Sequence, residues 1–462
     1  MKKILSFLAL IISFSIFSAP AADVLRPNIV FVLVDDLRWD ALSCTGNKIA
    51  KTANIDRIAK EGALFKNFFV TLPLCAPSRA AFLTGQYAHK NGVIDNSNRN
   101  ELSHKLVTFP KLLRDTGYET AYIGKIHMGN DDSPRPGFDR WVSFKGQGVY
   151  ENPLMNFDGK EMKMTGYMTD ILNSNAVAFV NKEHTKPFVL YLAHKAVHGP
   201  FTPAERHKNL YADAKVSRPP SIDDSLEGKP VLTRDADAAA PKKQKKAAKA
   251  AAKSEAKADK KFPPGTMLQQ LRALAAIDDG VGQIFAALEK TKQLDNTIFI
   301  FSSDNGYFWG EHGLGDKRWA YEESIRDPLL VRYPKLVKAG MKIDAMVLNI
   351  DLAPTLLELG GAKIPKEVQG QSFLPLFQGE KAKWRDSALF EYFKDGNNRT
   401  PTWQAVRTER WKYIQYKDLS DMDELYDLKK DPFEMKNLAS DSSATKMLKE
   451  MKAELAKLQK QY

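Results

Sequence analysis

Cys75 lies in a stretch, Leu74–Gly85, whose residue types would display a reactive side chain at the start of a helix. Pro77 fits the first turn, where its missing N–H would have no intrahelical partner, and Gly85 is a natural C-terminal stop. Free N–H groups and the helix dipole favour an anion at the position of Cys75. Arg79, one turn on, would direct a planar cation at the same point. The pattern predicts a reactive cysteine; a core cysteine before a capped helix is the alternative.

Two predicted strands end in side chains with hard oxygen atoms. The pair Asp35-Asp36 follows a continuous apolar run at residues 28–34, and the pair Asp304-Asn305 follows a second run at residues 297–301. In open α/β sheets, ligands bind beyond the carboxyl ends of the strands. Oxygen ligands select calcium or magnesium over zinc. The four side chains therefore indicate a metal site, although either turn alone is also typical of an ordinary strand exit.

Lysine and histidine follow further predicted strands. Lys125 and His127 come after a strand at residues 120–123, His198 after a strand at residues 188–192, and Lys317 shortly after the second acidic pair. Alone, each is typical of a turn whose charged side chains face water. His194, in the same loop as His198, is interpreted as structural or peripheral.

These elements together resemble the formylglycine-dependent sulfatases of the alkaline-phosphatase-like superfamily. Cys-Ala-Pro-Ser-Arg at residues 75–79, continued by Ala-Ala-Phe-Leu-Thr-Gly, looks like the Cys-X-Pro-Ser-Arg signature of that family. The resemblance implies that Cys75 is oxidised to formylglycine, whose hydrated aldehyde attacks the sulfur of a sulfate ester. It also implies a calcium ion, held by Asp35, Asp36, Asp304, Asn305 and the modified Cys75.

The resemblance implies a role for each basic residue. The Gly-Lys-X-His element makes Lys125 a sulfate ligand and His127 the base that assists the nucleophile and later its release, and Lys317 matches the second sulfate-binding lysine. His198 fits the His-X-Pro histidine that protonates the leaving oxygen. Together with the metal and both lysines, Arg79 would balance charge on the non-bridging oxygens.

The resemblance covers nearly the whole mature chain, and residues 152–159 and 166–170 are similar to N-acetylglucosamine-6-sulfatases and related heparan sulfatases. The leading hypothesis is a sulfatase acting on a sulfated carbohydrate, foremost N-acetylglucosamine-6-sulfate in glycosaminoglycan or mucin glycans. Alternatives are another sulfated sugar (algal polysaccharide or iduronate), a phosphoester hydrolase of the same superfamily, or an unmatured glycan-binding protein. Polar residues between the catalytic elements are candidate substrate contacts, with ordinary surface loops as the alternative: His312, Asn96, Asn98, Arg99 and Arg135.

Alternating apolar strands and helical patterns predict an α/β fold, with a large mainly parallel sheet sandwiched by helices. From about residue 381 the pattern changes to short strands and a closing helix, which predicts a smaller α+β subdomain on an antiparallel sheet. The expected division is a signal peptide at 1–22, a catalytic domain at 23–380 with a Lys/Ala-rich insertion at about 222–264, and a C-terminal subdomain at 381–462.

The N-terminal residues have the pattern of an export signal. Lys2 and Lys3 precede an apolar run at residues 4–17 and a small-residue cleavage site at 18–22. We expect a periplasmic or secreted protein without a membrane span, matured by a formylglycine-generating enzyme. Of the two cysteines, Cys44 is expected to be a small buried hydrophobic residue, with no disulfide to Cys75.

The net charge of +12 is concentrated in one segment. Nine lysines and two acidic residues between Pro241 and Lys261 account for +7, Lys2 and Lys3 for +2, and all other residues together for only +3. Charge therefore does not indicate a nucleic-acid-binding protein. The Lys/Ala segment is predicted to be a solvated, mobile insertion, and holding a polyanionic glycan near the enzyme is the alternative.

Overall fold

The computed structural model describes residues 26–97, 99–237, 264–379, 383–417 and 419–462. The predicted signal peptide, Asn98 and the lysine-rich stretch at 241–261 lie outside these residues. Within the described ranges, no helix has both the length and the apolar character needed to cross a membrane.

The strands form one large sheet, a two-stranded ribbon and a C-terminal sheet. Their bounds are β1 (Asn28–Val34), β2 (Ala63–Phe69), β3 (Glu119–Gly124), β4 (Arg140–Ser143), β5 (Leu154–Phe157), β6 (Lys160–Lys163), β7 (Phe188–Ala193), β8 (Thr297–Ser303), β9 (Phe308–Trp309), β10 (Gly315–Asp316), β11 (Arg326–Arg332), β12 (Met341–Leu348), β13 (Ser387–Tyr392), β14 (Trp403–Thr408), β15 (Trp411–Tyr416) and β16 (Glu424–Asp427).

The helices cover the large sheet and close the C-terminal subdomain. Their bounds are α1 (Ala53–Lys60), α2 (Cys75–Thr84), α3 (Ala88–Asn91), α4 (Asn100–Lys105), α5 (Phe109–Asp115), α6 (Met168–Asn181), α7 (Pro230–Asp237), α8 (Pro264–Lys290), α9 (Glu322–Ile325), α10 (Leu352–Leu359) and α11 (Thr445–Gln461).

The large sheet has the strand order β12-β2-β11-β8-β1-β7-β3-β4-β5-β6. Its centre, β8-β1-β7-β3, is parallel throughout, whereas β11 pairs antiparallel with β2 and β8. Every residue of β1 is buried, because Val30 and Val32 pack into the core beneath α6 and α8 while Phe31 and Leu33 pack into the core beneath α2 and α10. The prediction of a large, mostly parallel sheet between helices is confirmed.

The C-terminal sheet, β13-β14-β15-β16, is antiparallel as predicted. Helix α11 covers it with one apolar face, on which Met451, Leu455 and Leu458 recur at helical spacing. These residues share a core with Tyr87 and with Phe69, at the end of β2. The subdomain is therefore packed against the large sheet.

Residues 222–237 belong to the stretch predicted as an insertion and lie within the described part of the chain. They include the end of a 3-10 turn, Pro220–Asp223, and the whole of α7. The side chains of Asp224 and Lys229 are almost completely buried. The Nζ of Lys229 donates to Asp224 Oδ2 at 2.8 Å and to the carbonyl oxygen of Glu434 at 2.6 Å. At the start of the insertion predicted at about 222–264, polar residues therefore find partners far along the chain.

Candidate functional site

The site forms where four adjacent parallel strands end. The acidic pairs follow β1 and β8, Lys125 follows β3, and His198 lies in the loop after β7. Backbone pairing continues past the strand ends: the N–H of Asp304 donates to the carbonyl of Val34 at 3.0 Å, and that of Lys125 to Ala193 at 2.8 Å. Loops that are far apart in sequence are thereby held at one edge of the sheet.

Each of three buried carboxylates pairs with a cation that comes from a different element. The pairs are Asp35–Lys125, Asp36–Lys317 and Asp304–Arg79. All six side chains are at most 3% exposed, so an unpaired charge here would carry a large desolvation cost. Burial raises the pKa of Asp35, but the adjacent Lys125 and other cations outweigh it and leave that pKa well below its usual range. The cations hold Asp35 and Asp36 ionised, whereas burial and the neighbouring Asp35 raise the pKa of Asp304 well above its usual value.

The donor set fits a hard divalent cation. Oxygens of Asp35, Asp36 and Asp304 lie within 4.8 Å of one another. The Nδ2 of Asn305 donates to Asp36 Oδ1 at 2.7 Å and to the carbonyl of Gly306 at 2.9 Å. This leaves the buried Oδ1 of Asn305 without a hydrogen-bond partner. Three carboxylates and a free amide oxygen are ligands typical of calcium or magnesium.

Cys75 is the first residue of α2 and is completely buried. Its Sγ lies 3.7 Å from Asp35 Oδ1. Burial raises the pKa of the thiol, but Lys125 and Lys317 outweigh it, so the pKa is lowered overall. The helix ends as predicted at Gly85, whose φ of +70° is readily adopted only by a residue without a Cβ. An anion on residue 75 is therefore stabilised by two lysines and the helix N-terminus.

Arg79 directs its guanidinium at the scaffold of the site. Its Nε donates to Asp304 Oδ2 at 2.8 Å, and its Nη1 donates to the carbonyl oxygen of Lys125 at 2.6 Å. A third nitrogen, Nη2, lies 2.8 Å from the same Asp304 oxygen. Arg79 thus connects a metal-type ligand to the lysine after β3.

The pKa values of the two histidines, His127 and His198, are shifted in opposite directions. Burial and Lys125 lower the pKa of His127 well below its usual value, and its Nδ1 is buried without a partner. For His198, burial lowers the pKa, but Asp36 and Asp35 outweigh it and raise it overall. The Nδ1 of His198 lies 3.0 Å from the carbonyl oxygen of Gly199, which can only accept, so Nδ1 carries a proton. The site therefore contains one imidazole that favours the neutral form, His127, and one that binds a proton more readily, His198.

Asn96 contributes to the nucleophile helix. Leu74, at the N-cap of α2, has no side-chain acceptor, and the Oδ1 of Asn96 instead accepts from the N–H of Ala76 at 3.0 Å. This side chain, predicted to contact glycan, caps the turn that carries Cys75.

The other predicted contacts are held by protein partners. His312 is 1% exposed, with Nδ1 2.6 Å from Asp224 Oδ2 and its ring stacked on Tyr321. Arg135 is 5% exposed and donates to Ser103 Oγ at 3.0 Å, among other acceptors, so its contacts do not support a role in glycan binding.

Arg99 and His194 complete the predicted set. Arg99 is partly exposed, pairs with Asp95 at 3.0 Å, and lines an open surface cavity of about 550 Å³. His194 has both ring nitrogens buried without partners, and burial lowers its pKa to about 3, so it is a neutral internal side chain.

Two residues near the site were missed. Lys195 is buried, its Nζ lies 3.1 Å from the carbonyl oxygen of Gly199, and burial together with Lys125 lowers its pKa to about 8. Its position in the loop that follows a predicted strand was an available signal. Tyr150 donates its hydroxyl to the carbonyl oxygen of His198 at 2.6 Å. No local pattern points to that contact, which joins residues 48 positions apart.

The chain is similar to known proteins over 95% of its length. Residues 27–362 match the family model named Sulfatase, and residues 310–461 match the model for the C-terminal region of N-sulphoglucosamine sulphohydrolase. The chain is 34% identical to an N-acetylglucosamine-6-O-sulfatase of Bacteroides thetaiotaomicron, over 95% of this chain and 87% of the relative. It is 29% identical to the N-acetylglucosamine-6-sulfatase of Homo sapiens, over 91% and 82%. A protein solved in complex with its substrate D-glucosamine-2-N,6-O-disulfate has a TM-score of 0.83 and 35% identity, over 95% of this chain and 98% of that one.

Proposed function

Because the chain belongs to the sulfatase family and is a sulfuric ester hydrolase, we propose that it removes the 6-O-sulfate from a glucosamine residue of a sulfated glycan, foremost N-acetylglucosamine-6-sulfate. The observation that carries the sugar assignment is the 34% identity, over 95% of the chain, to an enzyme named for that substrate. The solved neighbour bound to a 6-O-sulfated glucosamine supports the same sugar.

We propose Lys125 and Lys317 as the sulfate ligands. Both act electrostatically on Cys75, and they pair with different carboxylates of the cluster, Lys125 with Asp35 and Lys317 with Asp36. Negative charge grows as the S–O bond breaks, and preorganised cations stabilise that charge most strongly where water is excluded. Arg79 is assigned a positioning role instead of the direct sulfate contact expected from the sequence, because its Nε and Nη1 donate to Asp304 and to the Lys125 carbonyl.

The proposed metal ligands are Asp35, Asp36, Asp304, Asn305 and residue 75. A bound calcium ion would supply positive charge to the sulfate oxygens and to the oxygen nucleophile. As formylglycine, residue 75 would supply a hydrated aldehyde. One hydroxyl, which loses its proton to solvent beside Lys125 and Lys317 before substrate binds, would attack sulfur, and the second would permit release of sulfate by elimination.

The histidines are assigned the proton transfers. When the bond between sulfur and the sugar oxygen breaks, its electron pair goes to that oxygen, which takes a proton from Nε2 of His198. His127, kept neutral by burial, accepts the proton of the second hydroxyl as sulfate leaves. In this sequence of steps, sulfate is released by elimination, and no water molecule attacks the sulfur atom.

A defined substrate panel tests the proposal. Protein co-produced with a formylglycine-generating enzyme is assayed on glucosamine derivatives sulfated at the 6-, 3- or N-position, on sulfated iduronate and algal oligosaccharides, and on matched aryl sulfate and aryl phosphate. We expect the highest kcat/KM on 6-O-sulfated N-acetylglucosamine and a preference for aryl sulfate. Preference for phosphate, or for another sulfated position, would overturn the assignment, and binding without turnover by fully matured protein would favour a glycan-binding role.

We further propose that the protein is exported to the periplasm or beyond and meets its maturation enzyme on the way. The basic and apolar pattern of residues 1–22 supports export. The N-terminal sequence of protein recovered outside the cytoplasm tests this, because cleavage is expected near Ala22.

A further inference from the structure

A pair of stacked tyrosines holds the loop that carries His198. The rings of Tyr150 and Tyr167 are 5.7 Å apart between centroids, with planes inclined by 15°. Tyr150 donates its hydroxyl to the carbonyl oxygen of His198 at 2.6 Å, and Tyr167 donates to the carbonyl oxygen of Thr202 at 2.8 Å. The two hydroxyls therefore fix both ends of the segment 198–202.

The edge hairpin β5–β6 fixes the two tyrosines relative to each other. Glu151 and Tyr167 form an antiparallel bridge, and the N–H of Met168 donates to the carbonyl oxygen of Tyr150 at 2.7 Å. The N–H of Asn152 donates to Gly166 at 2.9 Å. The sequence around this hairpin is similar to that of N-acetylglucosamine-6-sulfatases. Its flanking residues, 150–152 and 166–168, thus hold the two tyrosines side by side.

Lys195 ties the pair to the imidazole of His198. Its Nζ lies 4.7 Å from the ring centroid of Tyr150 and donates to the carbonyl oxygen of Gly199 at 3.1 Å. The same carbonyl accepts from Nδ1 of His198 at 3.0 Å. With Nδ1 held there, the other nitrogen, Nε2, faces the reaction centre, 3.7 Å from Asp36 Oδ2.

We propose that Tyr150 is a positioning residue for His198: its hydroxyl fixes the backbone of the loop so that Nε2 meets the oxygen of the leaving sugar. The inference rests on the proposed role of His198 as general acid. Burial raises the pKa of Tyr150 well above its usual value, so the hydroxyl keeps its proton and remains a donor at neutral pH. A residue that only packed the hairpin would have no effect specific to proton transfer.

The test uses two substrates that differ in their need for a proton. A sugar alkoxide is a poor leaving group and needs the acid, whereas 4-nitrophenolate leaves without it. The Tyr150→Phe variant keeps both ring contacts and removes only the donor. We expect its kcat on N-acetylglucosamine-6-sulfate to fall about 10- to 100-fold, with less than about threefold change on 4-nitrophenyl sulfate and little change in KM.

Tyr167→Phe is the matched control, because it removes the same group from the same ring pair but releases Thr202 instead of His198. We expect it to lose less than about threefold on either substrate. Equal losses of Tyr150→Phe on both substrates, or no loss on either, would overturn the inference, and thermal unfolding shows whether each variant is folded.

His198→Ala separates this inference from the proposed function. It should show the same dependence on leaving group, and adding Tyr150→Phe to it should cause no further loss on the sugar sulfate. If His198→Ala affects both substrates equally, the proposed acid is wrong and the inference fails with it. If His198→Ala is selective but Tyr150→Phe is not, only the inference fails.

Discussion

The Nζ of Lys317 lies 2.7 Å from Oδ1 and 2.9 Å from Oδ2 of Asp36, so one ammonium group spans both oxygens of a carboxylate that is itself buried. Burial lowers the pKa of Lys317, but Asp36 and other acids outweigh it and raise that pKa well above its usual value. The short ribbon β9–β10 ends at Asp316, and Lys317 is the next residue, so the ribbon positions it beside Asp36. The lysine is therefore charged and fixed before any substrate arrives.

We expect Lys317→Ala to lower kcat/KM for sulfate esters by about 10²- to 10³-fold, because it removes a preorganised cation from the developing charge. In the presence of a chelator it should also lower the free energy of unfolding by about 3–5 kcal/mol, since Asp36 loses its partner. Kinetics and denaturant unfolding measure the two effects. Lys338→Ala, at an exposed lysine, is the control. An active Lys317→Ala enzyme would contradict the assignment.

We expect calcium to raise the Tm of the protein independently of turnover. Saturation to about 100 times the dissociation constant stabilises the folded state by about 2.7 kcal/mol. Asp304→Asn should abolish most of this shift, because it removes one carboxylate of the cluster. Asp327→Asn is the matched control: Asp327 is also a buried carboxyl, but it lies outside the proposed ligand set. Differential scanning calorimetry with and without calcium decides, and an unchanged shift in Asp304→Asn would count against the site.

We expect stability to fall as pH rises from about 4.5 to about 7 because of Glu323. Burial raises its pKa from 4.5 to about 7, and its Oε2 is buried without a partner. The folded protein therefore binds this proton more tightly than the unfolded chain. The stability that the bound proton contributes is fully present below the unfolded pKa of 4.5 and is lost as the pH rises through the folded pKa of about 7. Unfolding free energies across this window measure it.

Glu323→Gln should flatten that dependence and be more stable than the native protein by about 1–3 kcal/mol at a pH above 7, since no charge is then buried. Glu409→Gln, at an exposed position, should leave the profile unchanged. A Glu323→Gln profile parallel to the native one would mean that another group titrates.

The central strands and their loops were predictable because buried parallel strands appear as continuous apolar runs. This identified β1, β7 and β8, and the rule that ligands bind beyond strand ends placed the acidic pairs together. Strand β11 has a weaker pattern: it begins with Arg326, Asp327 and Pro328, and its pairing with β2 is irregular there. Its place between β2 and β8 depends on tertiary contacts that no local pattern records.

The contacts that position the site were harder to predict than its chemistry. Asp224 lies in the stretch predicted as an insertion, and its side chain is buried against Lys229 and His312, which is 88 positions away. Arg79 is expected to balance charge on sulfate, and its acceptors Asp304 and the Lys125 carbonyl lie directly after β8 and β3. Residue types indicate which groups can react, whereas long-range partners decide which of them support the reacting groups.

The most direct measurement relates turnover to the chemical state of residue 75. Protein is produced with graded amounts of maturation enzyme, and peptide mass spectrometry gives the fraction of Cys75 converted to formylglycine in each sample. Sulfate release from N-acetylglucosamine-6-sulfate should rise in proportion to that fraction from zero. Cys75→Ala should be folded and inactive, and Cys44→Ala, at the other free cysteine, should follow the native line. Full activity in protein whose residue 75 remains a thiol would contradict the account.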